Sequence, residues 1–221
     1  MTDPWLAMQL ADAAFPAGGL AHAGGIEAAI AFGQARGRDG IREWIGRSLD
    51  AAGELAVPLC AAGWDEPARW AELDALCDAL LTSQVANRAS RSTGQSLLAA
   101  AAGAFGDERI RGMRAAALRE RRPAHVAPAF GVVGRILGLD RHDTLRLHLH
   151  GTLRSLIGAG VRLNAIGPLE GQALQRSLAG RAEAAVQRGM SLPLDDAAAI
   201  DPLLDIVQGC QDRLYSRLFT S

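Results

Sequence analysis

Strand-forming residues are too scattered along this chain to build a sheet. Valine and isoleucine stand mostly alone, whereas alanine, leucine, arginine and glutamate, which favour helix, fill the segments between glycines and prolines. Apolar residues recur at spacings of three and four, as in Ile41, Trp44, Ile45 and Leu49. The sequence therefore predicts an all-α protein, a single-domain bundle of about nine or ten helices.

Prolines and capping residues mark where the helices begin. Asp3 before Pro4 is typical of a first turn, and Asp140 precedes the strongest helical pattern. No linker is long enough to divide the chain, so residues 1–221 are predicted to form one domain. The predicted helices lie near residues 4–14, 24–32, 39–53, a segment through 59, 67–81, 83–102, 107–121, a short one from 128, a long one from 140, 168–188 and 202–214.

The last residues form a short apolar tail, residues 215–221. Leu214, Leu218 and Phe219 lie close to the chain end, where an exposed apolar segment favours a partner surface. We expect this tail to become ordered when a partner binds.

Composition excludes several classes of protein. The net charge is −1, so the chain has no overall positive charge that would attract nucleic acid. Aromatic residues make up 5%, which disfavours binding of single strands by stacking of bases on aromatic rings. The chain has no lysine, which excludes a P-loop lysine and Schiff-base chemistry. Three scattered cysteines favour a reducing, cytoplasmic location over a disulfide or zinc framework. No apolar stretch reaches about 18 residues, so no membrane span is expected.

The histidines and serines do not form a recognisable catalytic or metal motif. His148 and His150 are two residues apart on a helix and therefore point in different directions, which disfavours a shared metal ion. Ser90 lies in an arginine-bearing helix without a nucleophile elbow, although a spatial arrangement with His125 stays open. We expect no catalytic, cofactor-binding or metal-binding residue.

Residues 15–27, FPAGGLAHAGGIE, form the most unusual stretch of the chain. A glycine-rich loop before a helix is able to bind an anion through its backbone N–H groups. The stretch lacks the GxGxxG spacing, no strand precedes it and no lysine follows it. A tight turn that lets two backbones approach closely is the favoured interpretation.

The same stretch resembles a known N-terminal signature. MQLADAAFPAGGLAHAGGIEAA is similar to the opening of the urease accessory protein UreF family. Further blocks follow in the family's order. They are NRASRSTGQSLL, HVAPAFGVVGRILGL, LHGTLRSLIGAGVRLNAIGPLEGQALQ and the tail DRLYSRLFTS.

This resemblance implies an all-helical, dimeric, non-enzymatic protein of the cytoplasm. It implies binding to the accessory protein UreD, also called UreH, and through it to the GTPase UreG and to urease apoprotein. The expected function is a scaffold and gate that couples GTP hydrolysis to nickel insertion into urease. A regulator of UreG that acts through an arginine is the alternative. A helical metal carrier or independent enzyme is a remote third.

The resemblance also implies a set of partner-binding residues. His22 and Glu27 lie in the N-terminal signature, and Arg217, Leu218 and Phe219 lie in the tail. We expect His22 and Arg217 to face UreD, because arginine and ordered ring side chains are common anchors of interfaces. The alternative is that Glu27 pairs with a nearby arginine while Leu218 and Phe219 fold onto their own core.

Arginines of the central blocks complete this set. Arg88 and Arg91 are expected to contact a partner. The most specific version of this expectation is that one of them serves as an arginine finger for a GTPase. For Arg162 we favour an ion pair between helices. Glycines in residues 131–134 and 158–160 permit close helix packing and support the expectation of a homodimer.

Overall fold

The computed structural model describes residues 3–17 and 21–220, and in these ranges it contains helices and no strand. The all-α prediction is therefore confirmed. The helices are α1 (Pro4–Ala11), α2 (Ile26–Ala31), α3 (Gly37–Glu54), α4 (Ala56–Asp65), α5 (Trp70–Leu80), α6 (Gln84–Phe105), α7 (Glu108–Glu120), α8 (Val126–Ile136), α9 (Arg141–Arg162), α10 (Pro168–Ser191) and α11 (Pro202–Gly209), with short 3₁₀ turns at Pro67–Arg69, Leu194–Asp196 and Cys210–Arg213.

Side-chain caps set the start of five helices. The helices α1, α6, α7, α9 and α11 each begin with a side chain that accepts a hydrogen bond from a backbone N–H group of the first turn, and the capping residues are Asp3, Ser83, Asp107, Asp140 and Asp201. Such caps stabilise a helix by about 1 kcal/mol each. Helix α1 is shorter than predicted because Asp12 adopts an extended backbone and ends it.

Helix α9 runs through the main core. One face of this helix is apolar and buried, and the helix packs against α3, α4, α8 and α10. His148 lies beside this face with 8% of its surface exposed, and burial lowers its pKa to about 4, so it is neutral at pH 7. The buried apolar residues of the helix are Leu145, Leu149, Leu153, Leu156, Ile157 and Ala159.

Glycines of α8 allow this helix to pack closely against α4 and α9 within the chain. A Cβ atom on Gly131 would lie 1.9 Å from the carbonyl oxygen of Cys60, and one on Gly134 would lie 2.5 Å from Thr144. The spacing therefore does serve close helix packing, but at these two positions the neighbour belongs to the same chain. A homodimer stays a prediction that these two glycines do not support.

The part of the chain that the structure describes meets neither the requirements of a metal site nor those of a membrane-spanning helix. Within residues 3–17 and 21–220, no three His, Cys, Asp or Glu side chains come together as metal ligands. No helix in these ranges has the length and apolar content to cross a membrane.

Candidate partner-binding site

A segment near the start of the chain and a segment near its end meet on one surface. Residues 21–27 and 210–220 lie side by side, and we call this region the terminal junction. The backbone N–H and hydroxyl of Thr220 both donate to the carbonyl oxygen of Ala21, at 3.2 and 3.0 Å. Segments almost 200 residues apart in sequence thus form one site.

A buried carboxylate holds the junction together. Glu27 lies in the first turn of α2 with 7% of its surface exposed. It accepts hydrogen bonds from the backbone N–H of Leu218 at 2.6 Å, the backbone N–H of Phe219 at 3.1 Å and Nε2 of Gln211 at 2.6 Å. Because a buried charge is costly unless hydrogen-bonded, these donors fix the tail to α2.

Two glycines in left-handed conformation place Glu27 there. Gly24 and Gly25 have φ values of 55° and 79°. A Cβ atom at Gly24 would come within 2.8 Å of Leu156, and one at Gly25 within 3.0 Å of Gln208. This part of the unusual stretch is a tight turn that packs on α9 and α11; residues 18–20 lie outside the described residues.

An aromatic ring anchors the tail. Phe219 has 3% of its surface exposed and joins the core that α9 crosses. The guanidinium of Arg162 lies 4.3 Å from the centre of this ring, a cation–π contact. Arg162 thus contacts the C-terminal tail directly, a role that the favoured ion pair between helices did not anticipate.

The outer side of the junction carries arginine and apolar groups. Asp212 accepts hydrogen bonds from Arg88 at 2.9 Å and Arg217 at 2.7 Å, which lower the pKa of its carboxyl group. Both arginines are exposed at their ion pairs, as are Leu218 and Tyr215. The junction therefore presents two oriented guanidinium groups beside two apolar side chains, a combination common at protein interfaces.

His22 lies half-buried under this outer side. Its Nδ1 is 3.4 Å from the hydroxyl oxygen of Thr220. Burial and, to a smaller degree, the charge of Arg88 lower its pKa, so the ring is neutral at pH 7. His22 thus contacts the tail while it stands close to the arginine patch.

Comparison with known proteins identifies the family to which these elements belong. The UreF family model matches residues 35–179. The chain belongs to the UreF family. Urease accessory protein F of Oryza sativa subsp. indica is 36% identical over 219 residues, which cover 97% of this chain and 84% of the rice protein. Urease accessory protein UreF of Arthrobacter sp. (strain FB24) is 32% identical over 217 residues, which cover 96% of this chain and 95% of the Arthrobacter protein.

The terminal junction lies outside the match to the UreF family model, which ends at residue 179. Matches to whole relatives extend beyond residues 35–179. The uncharacterized urease accessory protein UreF-like of Schizosaccharomyces pombe is 26% identical, in a match that covers 100% of this chain and 98% of the yeast protein. Both ends of this UreF-family chain therefore align with a relative.

Six of the seven expected site residues gather at the junction, but in two roles. Glu27 and Phe219 are buried and hold the tail, which corresponds in part to the alternative interpretation. His22 is half-buried, and Arg88, Arg217 and Leu218 face outward. The motif comparison missed Gln211, Asp212 and Tyr215, although the last two lie in the quoted tail block.

Arg91 lies apart from the junction. It is exposed on α6, and its charge acts on Asp78 of α5, where it contributes to lowering the pKa of that carboxyl group. The main causes of that lowered pKa are hydrogen bonds from Asn87 and His125. Arg91 therefore belongs to a different cluster of side chains.

Proposed function

We propose that this chain is a scaffold for urease maturation. Membership of the UreF family supports a role in that process, and the relatives carry the name urease accessory protein. In the proposed role, a cytoplasmic homodimer binds UreD/UreH. It recruits UreG to urease apoprotein and couples GTP hydrolysis to nickel insertion. The scaffold acts by binding and does not itself transform urease or the nucleotide.

The observation that carries this proposal is the terminal junction. Hydrogen bonds to Asp212 orient Arg88 and Arg217, which reduces the side-chain entropy that is lost when a partner binds them. Leu218 and Tyr215 supply exposed apolar area beside them. We assign this surface to UreD/UreH, with arginine as the central anchor.

A regulator of UreG is the second candidate, and Arg91 favours it. Among the described residues, no hydrogen bond holds its guanidinium group, and the side chain is exposed on α6. An arginine of this kind suits a contact with the phosphates of a nucleotide bound to a GTPase.

Replacement of Arg217 by alanine tests the scaffold. The exposed pair with Asp212 contributes at most about 1 kcal/mol to stability, so the fold survives. We expect the affinity for UreD/UreH, measured by calorimetry, to fall at least about 10-fold. Intact binding by Arg217→Ala would refute the assignment of this surface.

Arg141→Ala is the matched control. Arg141 pairs with Asp65 at 2.8 Å, so its removal also breaks an arginine–aspartate pair. Arg141 lies far from the terminal junction. Leu156 borders Gly24 of the junction, and Arg141 lies 15 residues before Leu156 in α9, which is about 22 Å along the helix. This variant should bind UreD/UreH as the unmodified protein does.

A further inference from the structure

Three side chains from separate elements form a hydrogen-bonded chain away from the terminal junction. Nδ1 of His125 lies 3.0 Å from Oγ of Ser90, and its Nε2 lies 3.0 Å from Oδ1 of Asp78. Ser90 comes from α6, Asp78 from α5, and His125 directly precedes α8. Serine, histidine and aspartate follow one another as in hydrolases with a nucleophilic serine, but the two ring nitrogens are exchanged, because here Nδ1 faces the serine and Nε2 faces the aspartate.

The hydrogen-bond partners of Ser90, His125 and Asp78 indicate where the protons of these three side chains lie. Asn87 and His125 donate to Asp78 and lower the pKa of its carboxyl group, so Asp78 is ionised and only accepts. An ionised Asp78 requires a proton on Nε2 of His125, and in the neutral imidazole the lone pair of Nδ1 then faces Ser90. The backbone N–H of Val126 donates to Oγ of Ser90 at 3.4 Å, which leaves the hydroxyl proton for His125.

The backbone around His125 is strained and fixed. Ala124 has φ of 58° and is fully buried, a conformation that costs a non-glycine residue free energy. Asp74, itself buried, accepts from the N–H groups of Ala124 and His125 at 3.0 and 2.6 Å. A Cβ atom on Gly94 of α6 would lie 1.9 Å from the carbonyl oxygen of Ala124. The fold thus holds the imidazole rigidly against α6.

Ser90 lies in the wall of a cavity of about 700 Å³. This volume is within the range of small-molecule sites. Exposed residues, among them Pro16 and Ile200, contribute to the lining, so the cavity is open to solvent. The lining is mostly apolar and includes Leu81, Leu97, Val126, Ala127 and Phe130.

We propose that Ser90 is a nucleophile activated by His125, and that the cavity accepts small esters with an apolar acyl group. Oγ of Ser90 attacks the ester carbonyl while its proton moves to Nδ1 of His125. The histidine then protonates the leaving alkoxide, and water hydrolyses the acyl-serine by the same route. Asp78 is a positioning residue that holds the tautomer. This activity is separate from the scaffold function and does not depend on it.

The start of α8 supplies one backbone N–H for the negative charge that develops in this reaction. Ala127 lies in the first turn of α8 and in the cavity lining. Val126, the first residue of α8, already donates its N–H to Oγ of Ser90, and Pro128 has no N–H, so Ala127 supplies the one backbone N–H that the first turn offers. The helix dipole favours negative charge at this position. The turn directly follows His125 in sequence, so the base and this N–H both lie beside Ser90.

Covalent labelling of the full chain tests the proposal. An alkyl fluorophosphonate forms a bond from phosphorus to the serine oxygen, the proton passes to His125 and fluoride leaves. We expect mass spectrometry to locate the label on Ser90, and Ser90→Ala to abolish it. Ser92→Ala is the matched control, because Ser92 is an exposed serine of the same helix. A folded protein that stays unlabelled, or that is labelled only elsewhere, overturns the proposal.

Substitution of Asp78 separates chemistry from structure. Its side chain is 44% exposed in the pair with His125, so the fold tolerates Asp78→Asn. We expect this change to slow labelling and hydrolysis of p-nitrophenyl butyrate by at least about 10-fold, because the histidine loses its fixed tautomer. Asp78→Glu should restore most of the rate. Equal rates in both variants and in the unmodified protein would contradict the assigned role.

Discussion

Replacement of Glu27 by glutamine should release the C-terminal tail. The change preserves the size of the side chain but replaces one acceptor oxygen by an NH₂ donor. In Glu27, one oxygen, Oε2, accepts from both Gln211 and Phe219, so the amide oxygen of glutamine will take this position. The NH₂ group then faces the N–H of Leu218, and this N–H loses its acceptor. The two remaining hydrogen bonds lose their charged acceptor.

The size of the effect follows from these contacts. A hydrogen bond to a charged group contributes about 1.5 to 3 kcal/mol, and a neutral one about 1 kcal/mol. One lost bond and two weakened ones therefore cost about 3 kcal/mol. That shifts the equilibrium between docked and open tail by about 100-fold toward the open state. The core formed by α9 and its neighbours keeps its own contacts, so the tail opens locally rather than with the whole fold.

Hydrogen exchange measures this opening directly. The N–H groups of Leu218 and Phe219 should lose about 100-fold of their protection in Glu27→Gln, while amides of α9 keep theirs. Glu43→Gln is the control, since Glu43 is 63% exposed in its pair with Arg181. Unchanged protection at Leu218 and Phe219 would refute the role assigned to Glu27.

Three further predictions concern stability, pH and the partner GTPase. Gly131→Ala should destabilise the fold by about 3 kcal/mol in urea unfolding, because its Cβ atom meets a backbone carbonyl; Gly103→Ala, where a Cβ atom meets nothing within 4 Å, should stabilise it by about 0.5 to 1 kcal/mol. His148 has an unfolded-state pKa of 6.5 and a folded-state pKa of about 4, so the unfolded chain binds more protons between these values. Stability should therefore decline as pH falls from 6.5 to 4, and in His148→Gln about 3 kcal/mol of that decline should disappear. In the scaffold account, Arg91→Ala leaves GTP hydrolysis by UreG unchanged, whereas an arginine finger requires a fall of at least about 1,000-fold.

Local features of the fold were accessible from sequence. The aspartates at positions 3, 107 and 140 cap the helices that they were expected to open. This works because a cap is an interaction between residues two or three apart, which the sequence displays directly. Periodic apolar residues likewise identified the buried face of α3, since Ile41, Trp44, Ile45 and Leu49 are all buried.

Contacts between distant segments were not accessible in the same way. No local pattern links Glu27 to the amides of residues 218 and 219, and the resemblance alone placed both segments in one site. Likewise, Ser90 and His125 lie 35 positions apart, and only the packing of α6 against α8 brings them to 3.0 Å. The glycine spacing at 131–134 indicated close packing, but it carries no information on whether the neighbour is the same chain or another.

The most direct test of the scaffold account is the mass of the assembly in solution. Size-exclusion chromatography with light scattering would be applied to the protein alone, with UreD/UreH, and then with UreD/UreH and UreG. The account predicts a homodimer that shifts stepwise into a binary and then a ternary complex, with Arg217→Ala failing at the first step. Folded partners that elute separately from this protein at every step would contradict it.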